Sequence, residues 1–337
     1  MLHTTSSKPE SIVLTKPGGI QVELLNYGAT LKSIKVPVAD QFVDVLLSYP
    51  ADEDYLHDEV YLGATVGRYA GRIGSGVTQV QGRSIQLVCN EQNTGHCLHG
   101  GSKGFSHQFW TVCGQSSDSV SYEYVSAHGD QGFPGRLTTR VSYRLLGRNT
   151  LQIGFTAETD RETIVNLSNH AYFNLNSVNS GVGNHELLID SDLYTPLGKN
   201  SLPSGEVRQV EDSVFDFRRR TALGERLNTP DTQLDLAGGF DHFFLLNDHM
   251  SKSDLAAMVF SPQSGITMNI YTDQPGVQFY SGNWLGTPFS PHAGLCLEFQ
   301  DVPNAPNMDG FPSTVLKPGE IYHRQITLEF SGQQDTV

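Results

Sequence analysis

Nearly the whole length of this chain alternates apolar and polar residues in short runs, and that pattern limits its fold more than any other feature. Ile20-Gln21-Val22-Glu23-Leu24-Leu25, Leu137-Thr138-Thr139-Arg140-Val141-Ser142-Tyr143 and Ile266-Thr267-Met268-Asn269-Ile270-Tyr271 each show it. It is the period-two signature of strands with one buried face. Between such runs stand clusters such as Lys16-Pro17-Gly18-Gly19 and Lys317-Pro318-Gly319-Glu320. These suit turns, because glycine accepts positive φ and proline presets φ near about −65°. No amphipathic helix longer than about three turns stands out, and the best short candidates lie near Asp52 to His57 and Arg220 to Leu227. A βαβ parallel architecture is therefore disfavoured. No Pro/Ser-rich linker, charge run or fixed-period repeat divides the chain. The expectation is an all-β fold, a large antiparallel β-sandwich forming a single domain over residues 1–337.

At 337 residues the chain is long enough to hold a real core, since chains of this size bury about 75% of the surface that the unfolded form exposes. With 38% hydrophobic and 17% charged residues, no window reaches the ~20 apolar residues of a bilayer span. Met1 to Glu10 is polar and lacks the apolar run of a signal peptide, so the expected location is the cytoplasm. Cys89, Cys97, Cys113 and Cys296 match no zinc or thioredoxin spacing and are expected to be buried free thiols. The formal net charge of −14 repels phosphate backbones and anionic lipid, which argues against nucleic-acid and membrane partners. It is compatible with a neutral polyol.

Five segments break the strand pattern by gathering polar residues with aromatics and glycine. Val66-Gly67-Arg68-Tyr69-Ala70-Gly71-Arg72-Ile73-Gly74 sets two arginines among glycines that allow close approach of a ligand; it reads equally as a glycine-rich turn with solvated arginines. His96-Cys97-Leu98-His99-Gly100-Gly101 suggests a metal site at first sight, but zinc wants three or four ligands and no partner spacing is nearby, so no metal is expected. A histidine before two glycines is better read as a hydrogen-bond donor aimed at a ligand, or as an ordinary turn. Asn166-Leu167-Ser168-Asn169-His170-Ala171-Tyr172-Phe173-Asn174-Leu175 packs three Asn and a His among apolar residues. Such density needs an internal hydrogen-bond network or a ligand. Gly238-Gly239-Phe240-Asp241-His242-Phe243-Phe244 puts a carboxylate in an aromatic cluster, which suits the apolar faces and hydroxyls of a sugar or a packed strand entry. Finally, Pro275 to Asn283 precedes Leu295-Cys296-Leu297-Glu298-Phe299-Gln300, where Glu298 is the only charge among apolar neighbours. Desolvation raises the pKa of a buried carboxylate and makes it a competent base near neutral pH; an internal salt bridge is the alternative.

Taken in order, these segments resemble the aldose 1-epimerase family over essentially the whole chain. The resemblance rests on Gly67-Arg68-Tyr69-Ala70 with Arg72, Leu98-His99-Gly100-Gly101, Asp130-Gln131-Gly132-Phe133-Pro134-Gly135, Asn169-His170-Ala171-Tyr172-Phe173-Asn174-Leu175, Gly239-Phe240-Asp241-His242, Val277-Gln278-Phe279-Tyr280-Ser281-Gly282-Asn283, Leu297-Glu298 and Leu316-Lys317-Pro318-Gly319-Glu320. It implies the mutarotase-type supersandwich, an isomerase activity on the anomers of a free hexose such as galactose or glucose, and no cofactor. It also implies roles: Glu298 as catalytic base, His170 as catalytic acid, and Arg72, His99, Asp241 and Gln278 as sugar-binding residues. A small aldohexose would be the partner of a monomer or weak homodimer. The sequence departs from the family at Gly71, where the family usually has Asn. The rival readings are a non-catalytic sugar-binding protein on the same fold, an epimerase for a modified or phosphorylated hexose using Arg72 and Arg68, and a glycoside hydrolase using Glu298 and Asp241 as its two carboxylates.

Overall fold

The computed structural model describes residues 8–176, 180–247 and 254–332. Strands dominate it, and every pairing between its strands is antiparallel. A nine-stranded sheet runs in the order Thr111–Gln115, Ser119–Ser126, Leu137–Leu145, Thr150–Thr159, Tyr322–Ser331, Thr267–Thr272, Ala257–Phe260, Glu186–Ile189, Thr221–Ala222. A six-stranded sheet runs Tyr172–Phe173, Leu295–Gln300, Gly276–Tyr280, Asp241–Leu245, Leu193–Thr195, Arg208–Gln209. An N-terminal four-stranded sheet of Ser11–Thr15, Gln21–Leu25, Thr30–Val38 and Gln41–Asp44 joins the same core.

The alternation in the sequence decides which face of each strand turns inward. In Leu137–Leu145 the odd-numbered residues, Leu137 through Leu145, are all buried, while Arg140 and Arg144 point to solvent. The main core joins Tyr143, Phe155, Met268, Ile270, Ile326 and Leu328 of the large sheet to Phe244, Val277, Phe279, Leu295, Leu297 and Phe299 of the smaller one. Each such side chain contributes about 1.5–3 kcal/mol by leaving water. The other face of the six-stranded sheet is thereby free to carry polar groups.

Helix is scarce. Asp52–His57 forms a 3-10 helix and Leu223–Leu227 an α-helix, so the two expected segments are helical in whole or in part. A second α-helix, Thr232–Ala237, was not expected. The expected turns close as hydrogen-bonded reversals, Gly19 N–H to Lys16 O and Glu320 N–H to Lys317 O. The expectation of four buried thiols needs correction. Cys97 and Cys296 are buried, but Cys89 and Cys113 are exposed. Cys113 sits on Thr111–Gln115, the edge strand of the large sheet, where all five residues are exposed. Residues 1–7, where the signal-peptide reading falls in part, lie outside the described residues.

Candidate active site

The polar face of the six-stranded sheet forms the floor of a cavity of about 270 Å³, a size suited to one small ligand. Register fixes the layout. Glu298 pairs across the ladder with Gln278, Gln278 with Phe243, and Asp241 with Tyr280. All five side chains line the cavity, while the intervening Leu297, Phe299, Val277 and Phe279 face the core. Glu298 is thus anchored by the packing of its neighbours and is only 3% exposed.

His170 stands between the short strands Ser168–Asn169 and Tyr172–Phe173, held by His170 N–H to Ala64 O at 2.9 Å and Gly63 N–H to His170 O at 3.0 Å. His99 follows the two-residue strand Cys97–Leu98, which pairs with Arg72–Ile73. Its backbone has positive φ and is followed by Gly100, where an added Cβ would lie 1.9 Å from Gly67 O. Only glycine fits there, and the tight turn delivers His99 to the cavity. Nε2 of His170 lies 3.6 Å from Oε1 of Glu298, and Nδ1 of His99 lies 4.0 Å from Oε2.

Burial pushes the Glu298 carboxyl well above its usual range, with Asp241 adding to the rise and Arg72 opposing it. Burial likewise pushes His170 down to about 4, its own carbonyl and Asp241 opposing. His99 is lowered well below its usual value, first by burial and then by His170 and Arg72. Both imidazoles are therefore neutral at pH 7 in the free protein. The Gly71 N–H donates to Nδ1 of His99 at 3.2 Å, which leaves the ring proton on Nε2.

Arg72 forms a forked ion pair with Glu91, its Nε 2.9 Å from Oε2 and an Nη 2.9 Å from Oε1, and reaches Asp241 at 3.4 Å. Burial alone would weaken its charge, but Asp241 and Glu91 hold the guanidinium firmly ionised. Gln278 donates to Asp241 at 2.7 Å. Two buried acceptors in the cavity, Oε1 of Gln278 and Oε2 of Glu298, have no hydrogen-bond partner, a state that polar groups normally leave by meeting water or a ligand. The walls are aromatic. Tyr61 meets His99 edge-on at 4.6 Å, Tyr172 lies 5.0 Å from His170, and Trp284, 73% exposed, stands at the rim.

All six residues expected at the site, Glu298, His170, Arg72, His99, Asp241 and Gln278, line this one cavity. Others from the same segments do not. His96 is turned away, accepting from Ser75 N–H at 3.0 Å and lying 3.1 Å from Asn200 O, and Cys97 belongs to a satellite core. His242 faces the opposite side of the sheet, against Phe215 at 4.6 Å. Arg68, expected to be solvated or to serve a phosphorylated hexose, is 2% exposed and donates to Ser126, Ala127, Pro134 and Gly135. Its guanidinium clamps a loop, so it is unavailable to a substrate. Sequence reasoning missed Glu91, Tyr61, Tyr280 and Trp284; an acidic partner for Arg72 was foreseeable in kind, but nothing along the chain marked Glu91 as that partner.

The sequence model of the family Aldose 1-epimerase matches residues 10–329. The chain is 36% identical to human galactose mutarotase over 322 residues, 93% of this chain and 91% of that one. It is 35% identical to the aldose 1-epimerase of Escherichia coli strain K12 over 329 residues, 95% and 94% of the two chains. Its fold superposes on the crystal structure of an aldose epimerase homologue from C. elegans with a TM-score of 0.89 at 28% identity, covering 96% of this chain and 99% of that one. The galactose 1-epimerase of Lactobacillus acidophilus NCFM gives a TM-score of 0.85 at 29% identity, covering 96% and 95%. With sequence, fold and site geometry in agreement over nearly the full length, this chain belongs to the aldose 1-epimerase family.

Proposed function

We propose that this chain is a mutarotase that interconverts the α and β anomers of a free hexose such as galactose or glucose, with Glu298 and His170 as its proton-transfer pair. The observation that carries the assignment is the 3.6 Å approach of His170 Nε2 to Glu298 Oε1, two side chains that are both buried at the floor of the cavity. Burial shifts the two in opposite directions, His170 down to about 4 and Glu298 up, so that they compete for one proton. In the empty cavity that proton favours the carboxyl. A bound sugar reverses the preference, because its O1–H donates to a carboxylate and its ring oxygen O5 accepts from an imidazolium.

From that ionic state Glu298 takes the O1 proton, the C1=O1 bond forms, C1–O5 breaks, and O5 receives the proton of His170. Rotation about C1–C2 presents the other face of the aldehyde. The reverse steps close the ring as the other anomer and return both protons. A positioned acid or base contributes typically about 10²- to 10⁴-fold. His99 donates from Nε2, and Arg72 adds fixed positive charge where oxygen gains negative character. Asp241 and Gln278 hold ring hydroxyls, and Tyr61, Tyr172 and Tyr280 offer faces to C–H groups.

The carboxylate of Asp241 is tied to Arg72 and Gln278, which disfavours it as the second carboxyl of a glycoside hydrolase. Among the described residues Arg72 is the only Arg or Lys lining the cavity and it already faces two carboxylates, which disfavours a phosphorylated hexose. Exposed unpaired Cys89 and Cys113 fit the reducing cytoplasm. Because the cavity is complete within one chain, a monomer or weak homodimer suffices, and the chain folds as one domain around a shared core. The test is polarimetry. Dissolved α-D-galactose and α-D-glucose should each relax faster with the protein than in buffer; binding of sugar with no acceleration of either would identify a non-catalytic sugar-binding protein.

A further inference from the structure

The cavity holds more acid than it neutralises. Glu59, Glu91, Asp241 and Glu298 line it with Arg72 as the one Arg or Lys among the described residues. A neutral hexose satisfies hydrogen bonds there but leaves that excess in place. His99, His170 and Glu298 each offer one ligand atom, and the three atoms lie within 4.8 Å of one another, all three residues buried. The closest approaches to the carboxylate are 3.6 Å from His170 and 4.0 Å from His99. On a tetrahedral zinc, bonds of about 2.0–2.2 Å set neighbouring ligand atoms about 3.3–3.6 Å apart, so side-chain rotation has to close a trio that now lies within 4.8 Å by at most about 1.5 Å. Oε2 of Glu298 is buried without a partner, an acceptor that a cation would satisfy.

We propose that His99, His170 and Glu298 form a binding site for a first-row divalent cation, zinc above all, which takes the place of the sugar's reacting oxygens and reversibly blocks the cavity. Two imidazoles and one carboxylate are a zinc donor set, to which water adds the fourth ligand. Support behind the ligands is present as well. Nδ1 of His170 faces Cys296 Sγ at 3.5 Å, and a thiol accepts from that nitrogen when Nε2 ligates. On His99 the cation either replaces the long 3.2 Å bond from Gly71 N–H to Nδ1 or uses Nε2. Binding follows from the donor set alone, whereas its effect as an inhibitor rests on the assignment of Glu298 and His170 as the proton-transfer pair.

The test titrates zinc chloride calorimetrically into the wild-type protein, into His99→Gln and into Glu298→Gln, each checked for folding by its thermal melt. Exposed Cys89 and Cys113 supply background sites common to all three. The expected result is one zinc site present in wild type and absent from both variants, and lost again when wild type is saturated with D-galactose. In the anomer-relaxation assay, zinc at about ten times its dissociation constant should raise the apparent KM about ten-fold with kcat unchanged, and EDTA should restore it. An isotherm that is the same in wild type and both variants overturns the proposal, as does inhibition that lowers kcat at constant KM. Loss of the zinc site in both variants, with no mutarotation by wild type, would uphold the cation site and refute the mutarotase reading instead.

Discussion

Sγ of Cys296 lies 3.5 Å from Nδ1 of His170, a contact set by the ladder that pairs Tyr172 with Cys296. Burial pushes the thiol well above its usual range, so it keeps its proton. As donor it leaves Nδ1 of the neutral ring as acceptor and puts the His170 proton on Nε2, the nitrogen that faces Glu298. Cys296→Val should therefore lower kcat about ten-fold with KM little changed, and Cys296→Ser, which retains a donor, should stay within about three-fold of wild type. Nitrogen-15 shifts of His170 should show the Nε2–H tautomer in wild type and Cys296→Ser and a mixture in Cys296→Val. Equal kcat in all three proteins would contradict the role.

The shared proton of Glu298 and His170 sets the pH dependence. Adding a second proton to the pair disables the base and occurs on the acid side, where His170 titrates at about 4. Removing the last proton disables the acid, and does so well above the usual carboxylate range because burial raises Glu298. A plot of kcat/KM for galactose against pH should be a bell with its plateau near neutrality. A profile still rising beyond pH 10 would mean that no protonated acid is required.

Arg68 is a structural residue. Its five hydrogen bonds, four of them to backbone carbonyls, hold the loop between Ser126 and Gly135. Arg68→Met would leave these acceptors buried and unpaired, which should cost more than about 3 kcal/mol in urea unfolding. The kcat/KM of the folded fraction should stay at the wild-type value, because the side chain points away from the cavity.

Gly71 stands where the resemblance leads one to expect Asn, and its geometry says what an asparagine would meet. A Cβ there would stand 3.0 Å from Pro303 Cβ and 3.2 Å from Nε2 of Gln300, whose amide is buried without partners, on a backbone with φ of +77°. Asparagine tolerates that conformation better than alanine does. Gly71→Asn should thus lose less stability than Gly71→Ala, which should be less stable than wild type by about 1 kcal/mol, both read from thermal melts. A KM for galactose within about three-fold of wild type in Gly71→Asn would follow from a side chain directed at Gln300 and Pro303.

The fold was legible because period two is a local signal. Leu137–Leu145 and Thr267–Thr272 follow the predicted runs to within two residues. Glu298 announced itself as a lone charge on a strand otherwise fit for a core. The short helix Thr232–Ala237 escaped because six residues are too few for a 3.6-residue period to show, although Asp231 caps it at the start and Gly238 closes it with positive φ. Pairings across long separations were beyond the sequence: Glu91 with Arg72, Cys296 with His170, and the meeting of His99 with His170 instead of with nearby His96. The exposure of Cys113 depends on which strand ends a sheet, and strand order is not written in composition.

The most direct test of the account is the anomer exchange rate of galactose at equilibrium, followed by saturation-transfer NMR, for wild type and Glu298→Gln at equal concentration of folded protein. Glutamine keeps the shape of the side chain and cannot take the O1 proton. The predicted result is rapid exchange in wild type and a rate lower by about 10²- to 10⁴-fold in the variant, with galactose still bound. Exchange in Glu298→Gln within about three-fold of wild type would contradict the assignment of Glu298 as the base on which the mechanism depends.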